Sequence, residues 1–230
     1  MKEAYLSARK TFKYFWREKY WENRRIIKGL NLAMAKMRFE QGSEVEHMWI
    51  DNVDFNGDKI FGTLINAPGK ISNVSVGDSV SKSIDELSDW LFVMKGKTYG
   101  GFTIHAFRST LDKKALDEHD KKWGINFGSY NDILVVTDQK EKPTNLVEHP
   151  MCINMAPKVK EFYQSNPDEI SYIDDYGQTL LHSESIAGNK SNIEVLINLG
   201  ANKSVKSKTG KTALDYANVL GWDHIKDLLK

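Results

Sequence analysis

The chain has a single cysteine, Cys152, in 230 residues, so no internal disulfide can form and a reducing, cytoplasmic setting is expected. It lacks any apolar run near the roughly 20 residues that a membrane span requires. No secretory leader is expected, because Met1-Lys2-Glu3-Ala4-Tyr5 leads straight into a charged, aromatic helix pattern. Neither sign of charge dominates: 32 Lys and Arg face 31 Asp and Glu, for a net charge of +1. That balance removes strongly basic, nucleic-acid-type proteins from the front rank. Aromatic residues, at 11%, are by contrast plentiful enough to exclude general disorder. The length suits one large domain or two small ones, with a core that needs no staples.

Charge is nonetheless uneven. Residues 1–40 hold eleven basic and four acidic side chains, residues 41–157 twelve and seventeen, and residues 158–230 nine and ten. A basic leading segment suits phosphate or an acidic partner. The plainer expectation is that it lies against the acidic middle of its own chain.

The C-terminal part repeats with a period of 33 residues. Gly177-Gln178-Thr179-Leu180-Leu181-His182 returns as Gly210-Lys211-Thr212-Ala213-Leu214-Asp215, Gly188 as Gly221, and Val195-Leu196 as Leu228-Leu229. Gly177 and Gly210 permit tight turns, and Thr179 and Thr212 suit helix N-caps. Leu181 and Leu214 begin inner helices that Gly188 and Gly221 end. Ile193, Val195, Leu196, Ile197 and Leu199 form the apolar face of an outer helix, closed by Gly200-Ala201-Asn202.

Over residues 157–230 this pattern resembles the ankyrin repeat, with its Gly-x-Thr-Pro-Leu-His-x-Ala signature at the same period. Leu180 and Ala213 stand where that family prefers proline, and Asp215 where it prefers histidine. Glu184-Ser185 replaces a small apolar pair, and Asn192 takes a usually aliphatic place. Phe162-Tyr163 falls one period before Val195-Leu196, so residues 157–165, started by Pro157, read as the outer helix of a further degenerate repeat. Two and a third repeats fall short of the roughly three that bury a core, so the array is expected to dock on the rest of the chain. The resemblance implies protein binding through turn tips and no chemistry. By register the tips are Ile173, Asp175 and Tyr176 in one finger, and Lys206, Lys208 and Thr209 in the next.

The first part of the chain reads differently. Tyr5, Ala8, Phe12, Trp16 and Tyr20, with Phe15, give a helix with an aromatic stripe and a basic face of Arg9, Lys10, Lys13 and Arg17. Gly29 interrupts, and residues 30–37 suggest further helical turns. Residues 44–51 and 59–66 then read as strands joined by the hairpin signal Asn56-Gly57-Asp58, stopping at Ala67-Pro68-Gly69. Residues 76–80 turn into another strand, residues 83–86 form a helical turn, and residues 90–94 a buried strand. Residues 102–111 are apolar and buried, 111–122 an exposed helix or loop, and 132–137 a last strand. The class is α+β: an N-terminal helix plus a small curved antiparallel sheet, followed by a short all-α array. Glu141-Lys142-Pro143-Thr144 suits a linker, with His149-Pro150 as a second border, giving domains 1–142 and 143–230.

Five short motifs carry a second resemblance. They are Glu46-His47-Met48-Trp49-Ile50, Gly62-Thr63-Leu64-Ile65-Asn66-Ala67-Pro68, Val76-Gly77-Asp78, Ser88-Asp89-Trp90 and Gly100-Gly101-Phe102-Thr103. In this order over residues 30–110 they resemble the bacterial YegJ-like domain family. That family implies a fold and no agreed activity, and its members occur joined to ankyrin repeats.

Catalytic signals are sparse. The histidines at 47, 105, 119, 149, 182 and 224 show no metal-ligand spacing, so no metal or other cofactor is expected. Glu46 and His47 are strand neighbours facing opposite ways, which leaves His47 a core or pocket-edge residue. Gly96-Lys97-Thr98 and Gly210-Lys211-Thr212 lack the earlier glycine of a phosphate loop, Leu91 and Val205 standing in its place. Ser7 and Lys10 have Ser-x-x-Lys spacing without companion motifs. Cys152, among apolar residues, suits an inert thiol, and the acidic pairs Asp85/Glu86 and Asp174/Asp175 suit solvated turns.

The leading expectation is a cytoplasmic, non-enzymatic protein that binds another protein, as a bacterial immunity or anti-toxin protein or a regulatory adaptor. A small-molecule sensor or enzyme is the alternative, with a pocket of Trp49, Trp90, Tyr99, Gly100, Gly101 and Arg108, where glycines admit a ligand and arginine grips an anion. Filling of that region by an aromatic core would exclude it. Nucleic-acid binding ranks third and needs Arg17, Arg24 and Arg25 exposed beside Tyr14, Trp16 and Trp21. No membrane partner is expected.

Overall fold

A computed structural model describes residues 1–141 and 147–230, so the expected border at 142/143 and the linker residues Lys142, Pro143 and Thr144 lie outside the described residues. The trace divides into two compact units, Met1–Gln139 and Lys140–Lys230. Among the described residues no helix is long and apolar enough to cross a membrane.

In the first unit, α1 (Lys2–Asn23) precedes β1 (Asn31–Gln41), β2 (Glu44–Phe55), β3 (Lys59–Leu64), β4 (Ser79–Ser83), a single 3-10 turn (Ile84–Glu86), β5 (Leu87–Met94) and β6 (Lys97–Gly100). The strands form one antiparallel sheet in the order β4-β3-β2-β1-β5-β6. Helices α2 (Phe102–Arg108) and α3 (Lys113–Trp123) follow. The 3-10 turn is held by a capping box between Ser83 and Glu86. Helix α3 is exposed and defined by its ends: Asp112 accepts from the Ala115 amide, and Gly124 closes it with a left-handed backbone.

Helix α1 exists because its period delivers an aromatic stripe to the sheet. Phe12 meets Phe55 edge-on at 5.3 Å, and Phe15 lies 5.8 Å from Trp90. The Trp90 indole Nε1 donates to the Ala8 carbonyl at 3.0 Å, so the one polar atom of this buried ring is satisfied. Alternation sends Leu91 to the opposite face, into a cluster with Met34, Trp49, Ile104 and Phe127. Every residue of β5 from Leu87 to Val93 is therefore buried, Asp89 included. A bulge at Asn52, with φ of +48°, re-phases β2, so that Met48 and Ile50 before it and Val53 and Phe55 after it are all buried.

Three sequence expectations are corrected here, and one strand is added. Residues 30–37 are strand, not helix, because Met34, Ala35 and Met37 pair into β1 against β5 and β2. Arg17 is fully buried instead of lying on an open basic face. Residues 132–137 form no strand, since the Gln139 side-chain oxygen accepts from the Val135 and Val136 amides that a ladder would use. The short strand β6 went unread.

In the second unit, α4 (Pro150–Ser165) is followed by a 3-10 turn (Pro167–Ser171) and two helix pairs, α5 (Leu180–Ala187) with α6 (Lys190–Asn198), and α7 (Ala213–Leu220) with α8 (Asp223–Leu229). Helix α4 starts at Pro150, not Pro157. His149 Nδ1 accepts from the Met151 amide as its cap, and Pro157 sits inside on the exposed side, where water can serve the orphaned carbonyl. Phe162, aligned by period with the outer helix, is 52% exposed, whereas Val195 is half-buried. Helix α4 packs on α6.

Both helix pairs use the expected devices. Thr179 and Thr212 cap α5 and α7, and Gly188 and Gly221 end them with φ of +71° and +66°. At the third helical position His182 and Asp215 do the same work: His182 Nδ1 accepts from the Thr179 amide at 3.0 Å, and the Asp215 carboxylate from the Thr212 amide at 2.8 Å. The polar residues that depart from the repeat pattern answer one another. Buried Glu184 accepts from Asn189 Nδ2 at 2.7 Å and from Asn192 Nδ2 at 3.1 Å. Beside them Glu148 accepts from the Ser191 amide and hydroxyl. Cys152 is buried, and its thiol is pushed up by burial and by the nearby charges of Glu148 and Glu184, which makes it a poor nucleophile.

Candidate functional site

The two turns that lead into α5 and α7 are built alike from short side-chain clamps. In the first, the Asp174 amide donates to the Gln178 carbonyl, and Asp174 Oδ1 accepts from the Tyr176 and Gln178 amides, all at 2.8 to 2.9 Å. In the second, the Ser207 amide donates to the Lys211 carbonyl at 2.9 Å, and Ser207 Oγ accepts from the Lys211 amide. The turns are then tied to each other. The Lys208 amide donates to the Tyr176 carbonyl at 2.8 Å. Beneath them Gln178 Nε2 donates to the Tyr216 hydroxyl, which donates on to Ser207 Oγ, each at 3.1 Å. His182, with Nδ1 accepting, carries its proton on Nε2 and donates to the Val205 and Lys211 carbonyls at 3.1 and 3.2 Å.

On this frame Ile173, Asp175 and Tyr176 stand exposed at one tip, and Lys206, Lys208 and Thr209 at the next. Tyr172, not singled out by register, is 65% exposed beside Ile173. The result is an apolar and aromatic edge with one carboxylate, continued by two ammonium groups. Such a surface matches a partner with an apolar patch and charges of both signs. Its rigidity comes from backbone bonds, buried side chains and the Thr209 hydroxyl, which bonds to Ser207 Oγ and the Tyr216 hydroxyl.

The alternative pocket does not assemble. Trp90 and Tyr99 belong to the aromatic core, where Tyr99 stacks on Phe92 at 4.8 Å, while Trp49 belongs to the opposite cluster. Gly101, with φ of +75°, is the N-cap of α2. Gly100 has no room for a side chain, because a Cβ there would lie 2.2 Å from the Trp90 carbonyl. Arg108 is buried and already engaged, forking onto Asp120 at 2.9 and 2.7 Å and donating to His105 Nδ1 at 3.0 Å. Burial opposes ionisation of Asp120, but the hydrogen bonds and charges of Arg108 and His119 together hold its carboxyl low. Burial, and then Arg108, push His105 down to about 4. Among the described residues the rings of Trp49, Trp90 and Tyr99 are packed into the core and Arg108 is held by Asp120, in place of the expected open pocket. The stacking platform for nucleic acid fails likewise, since Trp16, Arg17 and Trp21 are buried. Among the described residues no group of three or more His, Cys, Asp or Glu could hold a metal ion.

Known proteins are similar to this chain in sequence. Residues 1–127 match the family DUF2314, described as "Uncharacterized protein conserved in bacteria". A protein of Neisseria meningitidis serogroup B named "Putative ankyrin repeat protein" is 47% identical over 227 residues, covering 97% of this chain and 90% of its own length. The "Uncharacterized protein YegJ" of Escherichia coli K12 is 33% identical over 73 residues, 32% of this chain and 48% of its own. No solved structure matches the chain. The family match spans more than half of the residues and the Neisseria relative nearly all of them: the chain belongs to the DUF2314 family of proteins conserved in bacteria.

Proposed function

We propose that this protein is a non-enzymatic recognition protein of the cytoplasm, whose second unit is a short ankyrin array binding another protein through its turn tips. The observation that carries this reading is the Lys208–Tyr176 backbone bond, which fixes the two exposed tips as one surface. The 33-residue period, the paired helices and the name of the Neisseria relative support it. In its concrete form the protein is an immunity protein or regulatory adaptor that covers a functional surface of its partner. Affinity capture from a lysate of the native bacterium tests it, comparing the natural chain with the quadruple variant D175A/Y176A/K206A/K208A. One protein retained by the natural chain and lost by the variant is expected. Equal retention by both would move the binding surface elsewhere.

A further inference from the structure

Far from the tips in sequence, the first unit contains a cleft of about 310 Å³. Its walls include Met1 and Tyr5 at the start of the chain, Lys36 on β1, His47 on β2, and Thr103, Ile104, Phe107 and His119 from the helical segment. Lys36 is half-buried, and among the described residues its ammonium makes no ion pair within 4.0 Å; it lies 5.5 Å from the Trp49 ring. Tyr5 stacks on the His47 ring at 5.1 Å, and His47 Nδ1 meets Ser88 Oγ at 2.5 Å. His119 Nδ1 pairs with Asp120 Oδ1 at 2.9 Å, which leaves its Nε2 edge for other contacts.

No acidic side chain is among the cleft's lining residues. Two nearby carboxylates, Asp89 and Asp120, are already committed. Asp89 accepts from the Phe102 and Thr103 amides and from Thr103 Oγ1 at 2.6 to 2.9 Å. Asp120 is gripped by Arg108. Burial pushes the Lys36 ammonium down against the opposing pull of Asp89, and burial followed by Lys36, Arg38 and Arg9 pushes His47 down. The charges that bear on His47 are thus all positive, while Tyr5 and Phe107 offer aromatic faces. Lys36 faces its cross-strand neighbour Asp89, whose carboxylate is held by the α2 amides and Thr103, so this half-buried cation beside aromatic walls makes no close ion pair and can take a further anion.

We propose that this cleft binds a small organic anion, its carboxylate or phosphate paired with Lys36 and its compact aromatic body set against Tyr5 and Phe107. Phenyl phosphate, phenylacetate and inorganic phosphate serve as probes, with benzylamine as the cationic counterpart. Amide spectra of the full chain record the Thr103 and Phe107 signals during titration. Saturable shifts with phenyl phosphate or phenylacetate, and none with benzylamine, are expected; which of the two binds more tightly separates phosphate from carboxylate ligands. Lys36→Met should weaken binding about tenfold or more, while Lys95→Met, at the far end of β5, should leave it unchanged. If Lys36→Met loses its fold, Lys36→Gln, which removes the charge but keeps a polar side chain, should weaken binding to a similar extent. Absence of saturation at millimolar probe, equal binding of benzylamine, or indifference to Lys36→Met would each overturn the proposal. Saturation by inorganic phosphate alone would overturn the assignment of an aromatic body.

Discussion

The backbone amide of Lys208 reaches back 32 residues to the carbonyl of Tyr176, at 2.8 Å, and joins two turn tips that the sequence presents as separate fingers. The bond needs close approach of two backbones, and glycine supplies it. Gly177, with φ of +75°, faces the Lys208 amide so closely that a Cβ would lie 2.8 Å from its nitrogen.

Gly177→Ala should therefore destabilise the second unit by about 1–3 kcal/mol, from an unfavourable backbone region plus the clash. Native-state hydrogen exchange of the α5 and α7 amides reads this. A loss below a few tenths of a kcal/mol would mean that the turns are not stacked as described.

Glu184 and Asn192 replace groups that the repeat pattern keeps apolar, and the structure makes them partners. Removing either one should cost about 2 kcal/mol or more, because the other is left buried and short of a partner. The double variant Glu184→Leu/Asn192→Leu should lose about 1–2 kcal/mol less than the two single leucine changes together. Additive losses would show that the pair does not interact.

His105 sets a pH dependence. Its folded value of about 4 lies below the ordinary 6.5, since burial and Arg108 disfavour the charged ring. The unfolded chain thus binds a proton first as pH falls, so stability declines from about pH 6.5 down to about pH 4, by at most about 3 kcal/mol from this group. His105→Leu should flatten the slope of unfolding free energy over that window. An unchanged slope would assign it to other groups.

Trp90 is core, not pocket. Trp90→Ala should cost about 3–5 kcal/mol through the cavity it opens between Phe15, Phe92 and Phe102. Trp90→Phe should cost far less, losing mainly the bond from Nε1 to the Ala8 carbonyl. Thermal unfolding of both variants distinguishes packing from a ligand-binding role, for which stability would barely move.

Much of this was legible from residue order. The aromatic period of α1, the Asn56-Gly57 hairpin and the Thr and Gly punctuation of both helix pairs are local signals, and the structure follows them. Residues 30–37 misled because a strand buried on both faces loses its alternation, and Met34, Ala35 and Met37 suit a helix equally well. Arg17 misled because its position on the helical wheel does not say how much of that wheel the sheet covers. The Lys36 cleft was illegible for a different reason: its walls come from residues as far apart as Tyr5 and His119, and only the fold brings them together.

The central claim is that the paired tips meet a protein partner, and site-specific photocrosslinking in the native bacterium tests it most directly. A benzophenone amino acid is placed in turn at positions 176, 208 and 227, the last being an exposed site on α8. The account predicts one protein adduct of the same mass from 176 and 208 and none from 227. Adducts absent from both tips, or equal at all three positions, would contradict it.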